Sequence, residues 1–129
     1  MRSHNKKKKI WTGRIVVGVA ALFLLLDAVT HLATPAPVVQ AFAQLGYPLS
    51  LATTIGMVET VCVLLYVIPR TSVLGAILLT GYLGGAVATQ LRIGQPLFET
   101  VFPVILGALV WAGPFLIDER LRAVIPLRH

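Results

Sequence analysis

With 129 residues, 57% of them hydrophobic, and five acidic side chains against eleven Lys and Arg, the chain has too little polar surface for a soluble domain of its size. A mean hydropathy of +0.84 points to the membrane, and the length allows one compact all-α domain, residues 1–129, with no room for a separate catalytic module. The net charge of +6 is not a nucleic-acid footprint, because no structured basic face or aromatic interleaving accompanies it.

Six of the eleven cations (Arg2, Lys6, Lys7, Lys8, Lys9 and Arg14) precede the first apolar run. Cytoplasmic flanks carry such an excess, and a basic run there also suits anionic lipid headgroups. Ile10 and Trp11 mark the interface. The first span covers 15–32; it is too long for a signal-peptide core and lacks a small-residue cleavage site, so it is expected to be retained. Asp27 and His31 interrupt it at i and i+4, on one helical face. The uncharged stretch 34–48 follows. Pro35 and Pro37 suit a helix start and Gly46 a helix stop, with Val38, Val39, Phe42 and Leu45 on one side. This predicts a short amphipathic helix in the first outer loop, lying on the bilayer surface or packed on the bundle as a connector.

The second span, 49–68, carries Glu59 near its middle and closes at Pro69 and Arg70. The tight turn after it makes the second and third spans antiparallel neighbours. The third, 73–91, is rich in small residues. Gly81 and Gly85 form a GxxxG pair beside Gly84, which predicts close helix packing inside the chain, with a homodimer seam or space for a ligand as alternatives. After the loop 92–98 the fourth span runs over 100–117, with Pro103 in its first turn and Pro114 closing or kinking its end. Trp111 is read as structural, and Arg120, Arg122 and Arg128 follow in the tail. The distribution of Lys and Arg, with only Arg92 in the outer loops, predicts four spans with both termini cytoplasmic.

On that topology, at about 1.5 Å of rise per residue, Asp27 lies roughly 7 Å below the outer end of its span. Glu59 lies deeper, near the midplane, and His31, Gln90, Arg92 and Glu99 fall at the outer ends. The outer half thus gathers Asp27, His31, Glu59, Gln90, Arg92 and Glu99, whereas the inner half is apolar apart from Tyr66. Ionisable groups in hydrocarbon mark functional sites by default. Asp27 beside His31 is the pairing of a proton carrier, and Arg92 is the candidate counter-charge. Simple structural pairing is the alternative, but interhelical polar contacts contribute only about 0.6 kcal/mol each, little for so many ionisable groups. No metal is expected, because one imidazole with scattered carboxylates matches no ligand spacing and His4 and His129 sit at chain ends. Cys62, the lone cysteine, reads as a buried inert thiol. No nucleophile elbow, phosphate loop or dinucleotide fingerprint is present, so an autonomous enzyme is not expected.

Several stretches resemble the DoxX-like family of small membrane proteins: W-x-G-R at Trp11 to Arg14, Asp27, PAPVVQAFAQLGYP, the block from Ile68 to Arg92, and the closing W-A-G with its Arg-containing tail. The resemblance covers nearly the whole chain and implies a four-span helical bundle in a bacterial inner membrane. It also implies a link to membrane redox complexes, the family being named for a subunit of a thiosulfate:quinone oxidoreductase, or to assembly of other membrane proteins. Three functions follow as expectations. One is an outer-half site binding a quinone or lipid-like molecule and serving a redox partner. Another is an accessory or assembly subunit for another membrane protein or a second copy of the chain, and the last is a proton-coupled transporter.

Overall fold

The computed structural model describes residues 2–125, with side chains from His4 onward; Arg128, His129 and the side chain of Arg2 lie outside the described residues. Helix α1 runs Arg2–Ala33, α2 Ala36–Leu45, α3 Ser50–Val67, α4 Ser72–Arg92, α5 Leu97–Ile117 and α6 Glu119–Val124. Four of these, α1, α3, α4 and α5, are long and apolar enough to cross a bilayer. Helix α1 extends well before the expected span, since lysines propagate a helix readily and the basic run 6–9 is helical throughout.

The four long helices form a ring in the order α1, α3, α4, α5, each packed on the next and α5 closing on α1. Their outward side chains, among them Leu22, Val29, Met57, Leu64, Ile77 and Ile105, are exposed and apolar, the surface a bundle presents to acyl chains rather than to water. The buried core is built from Ala20, Leu24, Val63, Leu79, Leu106 and Val110.

At the termini end the helices touch backbone to backbone. A Cβ built on Gly13 would sit 2.8 Å from the Gly113 carbonyl, and one on Gly113 would sit 3.1 Å from the Gly13 carbonyl. Only glycine allows α1 and α5 to cross there. Below this crossing Tyr66, fully buried, donates its hydroxyl to the Val110 carbonyl at 2.8 Å. That carbonyl would ordinarily accept from residue 114, which is Pro114 and has no N–H. Tyr66 therefore satisfies the acceptor that Pro114 orphans, as a membrane interior requires. Trp111 packs against the core and donates to Thr80 Oγ1 at 2.6 Å, in keeping with a structural role.

The tight GxxxG packing expected inside the chain is corrected. Gly81, Gly84 and Gly85 have nothing within 4 Å of a built Cβ, because this part of α4 faces outward at Gly81 and Gly84 and into open space at Gly85. Pro103 is also placed differently. Helix α5 begins at Leu97, one turn earlier than expected, which puts Pro103 in the second turn and leaves the Glu99 carbonyl without its helical donor.

Helix α2 bridges the opposite end. It starts at Pro35 and stops at Gly46, whose φ of 73° is left-handed; the N–H groups of Gly46 and Tyr47 return to Ala43 and Phe42, a glycine-terminated helix end. Thr34, between α1 and α2, has φ 49°, a strained position for a β-branched residue. Of α2 only Phe42 is buried.

Candidate functional site

Beneath α2 the ring of helices is hollow. A cavity of about 640 Å³ opens there, with contributions from α1, α2, α3, α4 and α5. Phe23, Leu24, Phe42, Leu83, Phe102 and Leu106 give it apolar walls. Local sequence explains the opening. Gly56 lets α3 approach α1 so closely that a Cβ there would lie 2.8 Å from Leu32 Cγ and 3.1 Å from the Ala28 carbonyl, which presses the next turn, carrying Glu59, toward His31. On the other side Gly85 offers no side chain to fill the space it lines.

The polar groups gather at one pole of this cavity. On α1, His31 Nδ1 lies 2.8 Å from the Asp27 backbone carbonyl. A carbonyl only accepts, so Nδ1 carries the hydrogen and donates it. The same nitrogen is 3.5 Å from Asp27 Oδ2 and 3.8 Å from Glu59 Oε1. From α4, the Tyr82 hydroxyl donates to Asp27 Oδ2 at 3.4 Å. Asp27 is half exposed, at 49%, whereas the Glu59 side chain is 0% exposed and neither of its carboxyl oxygens has a hydrogen-bond partner. Gln90 Oε1 is likewise buried without a partner. Thr89 donates to the Gly85 carbonyl at 2.8 Å, so the Tyr47 hydroxyl, 3.3 Å from Thr89 Oγ1, is the donor of that pair. A fully buried carboxyl lacking a hydrogen-bond partner costs free energy.

Five of the six residues anticipated from the sequence, Asp27, His31, Glu59, Gln90 and Glu99, line this one cavity. Arg92 does not, and its expected role as counter-charge is corrected. Its guanidinium donates to the Leu45 carbonyl and lies 5.6 Å from the centre of the Tyr47 ring, so it fastens the end of α2 rather than neutralising a carboxylate. Gln95 adds a second tie to α2 through Gln44 at 3.2 Å.

Tyr82, Tyr47 and Thr89 were not anticipated. Tyr82, Gly85, Ala86 and Thr89 recur at helical spacing along one face of α4, and that periodicity was the available signal. The carboxylates expected to be scattered are brought together: Asp27, His31 and Glu59 present ligand-type atoms within 4.8 Å of one another. Spacing along the chain could not show this, because Glu59 stands on a different helix. Two carboxylates and an imidazole can hold a divalent cation, but the imidazole nitrogen measured near both carboxylates, Nδ1, already donates to a carbonyl and would have to surrender that hydrogen.

A four-helix membrane bundle, closely packed at one end and hollow at the other with polar groups at the head of the hollow, is the class that fold and geometry define. The chain belongs to the DoxX-like family, whose model matches residues 15–113, all of α3 and α4, most of α1 and α5, and every residue of the polar cluster. No curated protein and no solved structure matches it.

Proposed function

We propose that this chain binds a lipid-like small molecule in the hollow half of its bundle, with the apolar body against the aromatic and aliphatic walls and the head at Asp27, His31, Glu59 and Gln90. The observation that carries this reading is Glu59, fully buried at the head of an apolar cavity with both oxygens unpartnered. The volume falls within the range of small-molecule sites, about 300–1,000 Å³. A quinone is one member of this ligand class, and with it a membrane redox partner would draw on the bound molecule. With Lys6 to Lys9, Arg14, Arg70, Arg120 and Arg122 at the termini end and Arg92 alone at the other, we assign the termini to the cytoplasm and the hollow to the outer leaflet.

The test is retention. After extraction in mild detergent, the lipid and quinone content of the purified wild type is compared with that of Asp27→Asn and Glu59→Gln. The wild type should keep one amphiphile that both variants lose by about tenfold, the effect of removing one charged hydrogen-bond partner; equal retention in all three contradicts the reading.

A second reading, an accessory subunit seated against another membrane protein, is favoured by the open glycine face of α4 at Gly81 and Gly84, since small residues let a partner helix approach. Cross-linking from this face in native membranes should then capture a constant partner. Proton-coupled transport is the least supported, because the buried residues of the termini half are apolar apart from Tyr66.

A further inference from the structure

We propose that the head this cavity takes is a protonated amine on a hydrophobic body, an inference that rests on the amphiphile reading above. Its ionisable lining is three carboxyl groups, Asp27, Glu59 and Glu99, against one imidazole, and no Lys or Arg is among the lining residues. The one cation nearby in sequence, Arg92, is held by the Leu45 carbonyl and the Tyr47 ring. Acidic groups thus outnumber basic ones in the lining.

The hydrogen-bond inventory points the same way. Among the described residues, the buried side-chain polar atoms without hydrogen-bond partners are Glu59 Oε1, Glu59 Oε2 and Gln90 Oε1, all of them oxygens. Three of the donors around them are engaged: His31 Nδ1 with the Asp27 carbonyl, Tyr82 with Asp27 Oδ2, and Thr89 with the Gly85 carbonyl. A head that only accepts, such as a quinone carbonyl or a carboxylate, would leave most of those oxygens unmet, since a protonated carboxyl donates through only one of its two. An ammonium supplies several N–H donors and the opposite charge together. The size leaves room for a body beyond the head, since about 640 Å³ is some twenty times the roughly 30 Å³ share of one water molecule. Aromatic walls such as Phe42 and Tyr82 also suit a cation lying near their faces.

The experiment uses the full chain in phosphatidylcholine nanodiscs, with empty nanodiscs subtracted to remove partitioning into lipid. Dodecylammonium, dodecanol, dodecanoate and a short-chain quinone are titrated against the wild type and Glu59→Gln. Dodecylammonium should bind at least about tenfold tighter than dodecanol, with dodecanoate weakest. Glu59→Gln should erase the preference for ammonium while dodecanol still binds. Equal affinity for ammonium and alcohol, or preference for dodecanoate or the quinone, overturns the amine assignment and leaves the amphiphile reading standing. Binding of none of the four overturns both. The wild-type series decides the matter by itself if Glu59→Gln does not fold.

Discussion

The two halves of this bundle are made of the same four helices yet packed on opposite terms. At the termini end α1 and α5 cross through Gly13 and Gly113, Tyr66 answers the carbonyl that Pro114 leaves open, and among the described residues no buried side-chain polar atom lacks a partner. At the α2 end Gly85 leaves space, Pro103 interrupts α5, and Glu59 and Gln90 hold buried oxygens without donors. Each half contains an interior proline and a buried polar residue, so neither feature by itself separates them. What separates them is whether each polar group finds its partner within the chain. The closed half is optimised for stability. The open half gives stability up, the usual mark of a place kept for something else.

The contrast can be broken first at the crossing. Gly113→Val should destabilise the bundle by about 3 kcal/mol through overpacking, read as a fall in thermal midpoint in detergent. Gly84→Val, on the open face of α4, should stay within about 0.5 kcal/mol of wild type. A comparable loss at both positions would mean that the crossing is not where the helices are locked.

Tyr66→Phe comes next. It leaves the Val110 carbonyl without a donor and should cost about 2 kcal/mol, whereas restoring a helical N–H with Pro114→Ala in the same chain should recover part of that loss. No recovery would refute the pairing of Tyr66 with the proline.

In the open half the sign reverses. After exhaustive delipidation, so that no bound molecule adds its own stabilisation, Glu59→Leu should raise stability by about 1–2 kcal/mol by removing an unpartnered buried carboxyl. A loss instead would make Glu59 part of the packing. Smaller again, Thr34→Gly should add about 1 kcal/mol by releasing the left-handed strain between α1 and α2, measured the same way.

Much of this was legible in the sequence, for reasons that particular residues make plain. Apolar run length and the skewed lysines suffice for four helices, because the bilayer imposes both. Asp27, His31, Glu59, Gln90 and Glu99 could be assigned to one half because depth along a span follows from counting residues. Direction around the helix axis was less accessible. Arg92 has the right depth but reaches sideways to Leu45 and Tyr47. The GxxxG motif at Gly81 and Gly85 shows that backbones can approach, without saying that any does. The glycines that do meet, Gly13 and Gly113, are single and far apart in the chain. The partnership of Tyr66 with Val110 needed coordinates, since it joins α3 to α5.

The most direct measurement is a high-resolution structure of the wild-type chain in a lipid nanodisc. The account predicts one elongated molecule in the cavity under α2, its head within hydrogen-bonding distance of the Glu59 carboxyl and its body along Leu83, Phe102 and Leu106. A collapsed, dry cavity, or Glu59 paired with a group of the chain itself, would contradict it.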